Sequence, residues 1–263
     1  MFSNVQIFIL MVVGYGAGFL GAIAGVGGGI IITPVLAVYF GVPLTQAVGT
    51  SLIAVITTSA ASSSVHVQRH VADIKLGMTL ELATALGAAV TAYFAPLVNR
   101  NVVAVLFVIF LCYSAYNIGK KMLHSSSKSS SGEIPKYEPK NYPLGLSSSL
   151  VAGGMSGLLG IGGGPIKVPI MYIFMGVPLL VATATSNFMI GVTAAASAVV
   201  YYRRGDVLLT AAVPLVVGVF AGSMSGARAA HRMNARYVMA LLIAIMVLLA
   251  IQMTMRVVKG HVG

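Results

Sequence analysis

The chain has 263 residues, of which 58% are hydrophobic and only 8% charged, and it carries a formal net charge of +11. Soluble domains carry about 25% charged residues, and here the first charged side chain is Arg69, so a soluble fold is excluded because nothing would cover its surface. The basic excess lies at the ends of apolar segments, where it orients a membrane chain and meets lipid headgroups; nucleic acid is thereby set aside as a partner.

In chain order, the first apolar run predicts a helix over 5–24. It has no basic n-region and continues past any small-residue cleavage site, so it does not read as a cleaved signal peptide. Gly14, Gly18 and Gly21 form a small-residue ridge suited to close helix packing. The run then breaks at Gly25 and Gly27–Gly29, each costing about 1 kcal/mol in a helix interior. A short apolar run follows over 30–41, and at ~1.5 Å per residue it is too short for a ~30 Å hydrocarbon core. Helices are predicted over 44–67, 75–98 and 101–122.

On these helices Thr50 and Ser51 lie about two turns in, able to face the glycine break, although such hydroxyls often bond a carbonyl one turn back. The stretch "SAASSSVH" (59–66) gives a small, polar face for a pore lining or for close packing. His66 and His70 have metal-ligand spacing without a third ligand, and a membrane-surface face is expected for them. Asp73 is placed as an N-cap. Glu81 is the one acid inside a helix core, able to carry a proton or to pair with a base. The lone Cys112 provides neither a disulfide nor a cysteine metal site.

Residues 123–143 are a polar, Ser-, Lys- and Pro-containing linker that divides the chain into a first repeat, 1–122, and a second, 144–263. After it, helices are predicted over 144–159, 179–202, 207–228 and 236–258, with a short run over 165–176 after Gly162–Gly164. Shifted by 135, residues 25–51 match 160–186 at thirteen of 27 positions. With a small adjustment Arg69 and Asp73 correspond to Arg204 and Asp206, Arg100 to Arg232, and Glu81 to Pro214. Asp206 is read as a second N-cap, and Arg69 and Arg204 as interfacial anchors able to pair with the aspartates.

Thr185, Ser186 and Asn187 repeat the Thr50–Ser51 position, and Asn187 stands where the first half has Leu52, a break suited to specificity. Lys167 is the one charge between Lys140 and Arg203. It has the wrong sign for a helix N-terminus, so it is compensated by an anion or snorkels to an interface.

The expected fold is therefore an all-α polytopic membrane protein: two inverted repeats with about eight full crossings plus two short re-entrant half-helices after glycine-rich breaks. Ten of the basic residues would fall on the linker side and six on the other, placing the linker in the cytoplasm and both termini outside. Irregular backbone in a bilayer is tolerated where it lines a cavity, and half-helix N-termini there aim amides at anions. The candidate site accordingly comprises Gly27, Gly28, Gly29, Thr50, Ser51, Gly162, Gly163, Gly164, Lys167, Thr185, Ser186 and Asn187, with Glu81 as a proton-coupling candidate. No metal or cofactor is expected. The absence of HExxH, GxSxG or a pair of intramembrane acids argues against an enzyme. Without a G-x-x-x-x-G-K-[ST] loop, energy would come from a gradient.

The duplicated G-x-GGG…P…GVP…A…TS pattern and the "RRGD" turn (203–206) resemble the TauE/SafE sulfite exporter family, also called the 4-toluenesulfonate uptake permeases. The resemblance implies a two-repeat carrier in the bacterial or archaeal plasma membrane that moves a small sulfur-containing anion such as sulfite or an organosulfonate. Its partners would be that anion and the lipid bilayer, and association into homo-oligomers is compatible with it. An anion channel using the same glycine loops as a filter is the alternative.

Overall fold

A computed structural model describes residues 3–124, 137–230 and 235–258; most of the expected linker lies outside the described residues. Within them the chain is all-helical, with ten α-helices: α1 (Asn4–Ala24), α2 (Gly29–Tyr39), α3 (Leu44–Gln68), α4 (Ile74–Phe94), α5 (Arg100–His124), α6 (Tyr142–Leu159), α7 (Gly164–Pro169), α8 (Leu179–Arg203), α9 (Leu209–Ala229) and α10 (Ala235–Val258). A 3₁₀ turn (Ala95–Leu97) extends α4, and a π-helical turn (Ile170–Phe174) extends α7.

Five helical segments among the described residues are long and apolar enough to cross a membrane: Asn4–Ala24, Leu44–Gln68, Ile74–Leu97, Leu180–Arg203 and Leu209–Ala229. The expectation of about eight is met in part. The 18-residue α6 carries Ser147–Ser149 and four glycines, which lower its hydropathy, and α5 and α10 enter as shorter apolar stretches, 101–117 and 243–255.

The outside of the molecule is apolar, unlike that of a water-soluble fold, and its largely apolar interior encloses a set of buried polar side chains. Along α4, Met78, Leu82, Leu86 and Val90 recur at helical spacing and are all exposed, a stripe suited to lipid. Thr50, Ser51, Thr58, Ser62, Glu81, Lys167, Thr185, Ser186, Asn187 and Thr193 are buried.

Small residues set the helix pairs. α1 runs alongside α9 in the same direction: Met11 meets Gly218, Tyr15 meets Gly222 and Phe19 meets Gly226, each glycine receiving a carbonyl oxygen where a Cβ would stand. α6 runs alongside α4 in the same way, with Gly153 against Thr84 and Gly157 against Ala88. α3 and α8 cross antiparallel at the centre, where the Ser59 hydroxyl donates to the Asn187 carbonyl across the pair at 2.5 Å.

Four of the five helix starts in the two halves keep one offset. α2 and α7 begin at 29 and 164, α3 and α8 at 44 and 179, α4 and α9 at 74 and 209, and α5 and α10 at 100 and 235. The spacing is 135 for these four pairs, with no adjustment between them, while α1 and α6 begin 138 apart, at 4 and 142. Asp73 therefore matches Leu208, Arg100 matches Ala235 and Glu81 matches Val216, correcting the correspondences drawn above.

The helix caps divide accordingly. Asp73 caps α4, its Oδ1 accepting from the Leu76 amide at 2.9 Å. Asp206 does not cap α9, whose N-cap is Leu208; its Oδ2 instead accepts from Arg204 Nε at 2.9 Å. The end of the linker docks on the α4 cap, with the Tyr137 hydroxyl donating to Asp73 Oδ2 at 2.8 Å. Burial and that neighbouring carboxylate push the Tyr137 phenol above its ordinary range, so it stays a donor through alkaline pH.

Candidate functional site

α1 ends at Gly25 (φ 72°) and α6 at Gly160 (φ 70°), both left-handed residues that terminate a helix without a Cβ penalty. Gly27 (φ 76°), Gly162 (φ 78°) and Gly163 (φ 76°) prolong the left-handed backbone, which is why other residue types are disfavoured there. Each turn leads straight into its short helix, α2 or α7.

The two turns touch. A Cβ on Gly29 would overlap the Gly160 carbonyl oxygen, and one on Gly164 would lie 2.6 Å from that of Gly25. Val55 of α3 and Ile190 of α8 pack beside both Gly27 and Gly162. The breaks thus meet back to back between the central helices. Among the described residues, the amides of Gly27–Gly29 and Gly162–Gly164 donate to no backbone or side-chain acceptor, although all six glycines are buried. Buried amides are rarely left that way.

The Thr–Ser pairs bind the opposite half of the chain. Thr50 Oγ1 accepts from the Leu208 amide at 3.0 Å, and Thr185 Oγ1 from the Asp73 amide at 2.9 Å. Ser51 Oγ reaches the Gly160 carbonyl at 2.9 Å and Ser186 Oγ the Gly25 carbonyl at 3.0 Å. Each pair therefore anchors the helix entry and the glycine turn of the other half. Ser51 also accepts from Thr33 Oγ1 at 2.7 Å.

Lys167 neither snorkels nor stands unpaired. It is 2% exposed, and its Nζ donates to Glu81 Oε2 at 3.0 Å and to Thr193 Oγ1 at 2.7 Å. Thr193 in turn donates to Glu81 Oε1 at 2.5 Å, and Thr84 Oγ1 lies 3.0 Å from Glu81 Oε2. The anion compensating Lys167 is thus a carboxylate of this chain, and Glu81 lies buried in the interior. The lysine also lies over its own glycine turn, since a Cβ on Gly163 would sit 3.4 Å from Lys167 Cε. Thr193 escaped the sequence reading; its repeat partner Thr58 is also threonine, a match beyond the aligned block.

Asn187 Nδ2 donates to the Ala22 carbonyl at 2.9 Å and lies 3.5 Å from His66 Nε2, while its Oδ1 is buried with no partner among the described residues. His66 is therefore interior, correcting its assignment to a membrane-surface face; His70 is exposed at a turn with φ 54°. The "SAASSSVH" face packs onto α8 through Ser59. Among the described residues no group of three His, Cys, Asp or Glu side chains is placed to hold a metal ion.

The model of the family described as Sulfite exporter TauE/SafE matches residues 10–253. The chain is 30% identical over 262 residues to the probable membrane transporter protein YunE of Bacillus subtilis (strain 168), covering 93% of this chain and 96% of that protein. It is 28% identical over 257 residues to the probable membrane transporter protein MJ0441 of Methanocaldococcus jannaschii, covering 90% and 91%. To the probable membrane transporter protein ORF9 of a Sinorhizobium species it is 26% identical over 260 residues, covering 96% of each. No solved structure matches it.

Proposed function

This chain belongs to the sulfite exporter TauE/SafE family, and from that membership and the touching glycine turns we propose that it is a secondary transporter for a small sulfur-containing anion. The substrate class is sulfite, an organosulfonate or a related sulfur oxyanion. Such an anion presents several oxygens around one sulfur, and a cup of amides suits it without the desolvation penalty of a buried cation alone.

The observation that carries the reading is the set of buried, unengaged amides of Gly27–Gly29 and Gly162–Gly164, contributed by both halves beside Lys167. In this reading the amides and Lys167 hold the anion, with Asn187 at the rim. Thr50, Ser51, Thr185 and Ser186 serve the site by keeping the turns in register. The two halves form inverted repeats, with α1–α2 and α6–α7 as hairpins that return from the membrane interior and the remaining helices as full crossings. Alternating access moves the halves about the glycine contact.

Ten basic residues on the linker side and fewer on the other, now that Lys167 is interior, orient the linker to the cytoplasm of a bacterial or archaeal cell.

The test is a binding screen of the purified protein with sulfite, thiosulfate, sulfate, sulfoacetate and taurine. Saturable binding of at least one, weakened at least tenfold in Lys167→Gln, is expected. Binding of none would reject the substrate class.

A further inference from the structure

We infer that the Lys167–Glu81–Thr193 cluster is an exchange site at which a monovalent anion replaces the Glu81 carboxylate on Lys167 only as Glu81 takes up a proton, so that one proton travels with each anion. This rests on the anion-transport reading above and adds the coupling ion and its stoichiometry.

Charge conservation in a low-dielectric interior carries the argument. Lys167 and Glu81 are 3.0 Å apart and nearly inaccessible, and their charges cancel. An anion that joined Lys167 while Glu81 stayed ionised would leave an uncompensated negative charge buried, which is strongly disfavoured. Protonation of Glu81 from the open side restores neutrality, leaving one cation and one anion, as before. The carboxyl oxygen that receives the proton ceases to accept from Lys167, and the freed Nζ takes an oxygen of the anion. Thr193 and Thr84, each already within hydrogen-bond distance of the carboxylate, remain as partners for the neutral acid.

Packing does not require this cluster. At the positions 135 residues away the chain has Ile32 for Lys167, Val216 for Glu81 and Thr58 for Thr193. The Lys–Glu pair therefore exists in a single copy.

The surroundings isolate the pair. Among the described residues Lys167 of α7 is the one charged group that meets Glu81. α8 presents Thr193 there and α6 lays Gly153 against Thr84; along α4 the exposed Lys75 lies six residues before Glu81, and the Asp73 cap with Tyr137 lies beyond it at the mouth of the helix. Lys167 is also carried on a segment with an irregular backbone, between left-handed Gly163 and the π-helical turn after Pro169, where a lysine can turn from one partner to another with few helical hydrogen bonds to break.

The decisive experiment counts protons on the wild-type protein. Methanesulfonate is the main probe because it stays monoanionic, so any proton taken up belongs to the protein; nitrate is the probe outside the sulfur class. In weakly buffered detergent solution, saturating anion should draw about one proton per bound anion. The apparent Kd should rise about tenfold per unit increase in pH wherever binding draws one proton. In Glu81→Gln, which imitates the protonated acid, binding should persist and lose its pH dependence. If that variant fails to fold, the wild-type count and slope decide alone.

In proteoliposomes a pH gradient should drive wild-type accumulation, unchanged when the membrane potential is clamped. Anion binding with no proton uptake and a flat pH profile would overturn the coupling while leaving the transport reading intact. Proton-linked nitrate binding with no binding of any sulfur anion would reject the substrate class and uphold the coupling. Binding of no anion at all would reject both.

Discussion

Ser51 and Ser186 show how one side chain can hold a backbone break in place. Each hydroxyl lies on a central helix and reaches the carbonyl of the glycine that ends the other half's first helix. A neutral hydrogen bond of this kind contributes about 1 kcal/mol, so Ser51→Ala and Ser186→Ala should each lower stability by about that amount, measured as a modest drop in Tm in detergent. The buried ion pair is more sensitive. Removing one partner leaves a charge without compensation, at about 3–5 kcal/mol. Lys167→Met should therefore melt well below wild type, and Lys167→Met with Glu81→Leu should recover most of the loss. The sequence named Lys167 and Glu81 separately, but 86 residues separate them and no local spacing rule joins them. The pairing was illegible because it depends on how α7 lies against α4.

At the scale of elements, glycine placement decides which helices touch. Gly153 and Gly157 admit the α4 backbone, and Gly218, Gly222 and Gly226 admit that of α1. Gly153→Val should split the α4–α6 seam and cost at least 2–3 kcal/mol, in the range of an overpacked core. Gly16, with open space around its Cβ position, is the control: Gly16→Ala should be neutral or stabilising by up to about 1 kcal/mol. Comparing the Tm of the two variants checks the claim. Helix positions were legible in the sequence to within a few residues, because apolar run length and the GVP and glycine punctuation mark them directly. The partners were not, since the same glycine ridge on α1 fits any small-residue helix. Asp206 was misread as a cap for a related reason: it stands near a helix start, but a neighbouring arginine claims its carboxylate.

For the whole molecule, the apolar exterior fits a lipid solvent, and the two halves meet where their backbones are broken. If the linker is cytoplasmic and the termini external, Ser3→Cys should react with an impermeant maleimide in intact cells. Ser129→Cys should react only after permeabilisation; the reverse pattern would invert the assignment. The central claim, that the paired glycine turns and Lys167 carry a small sulfur anion from one side to the other, is tested most directly by counterflow in proteoliposomes. Vesicles preloaded with unlabelled sulfonate or sulfite should take up the labelled anion faster than empty ones, saturably, and Lys167→Gln should abolish the effect. Uptake that is absent for every sulfur anion, or that rises without saturation and ignores the internal load, would contradict it.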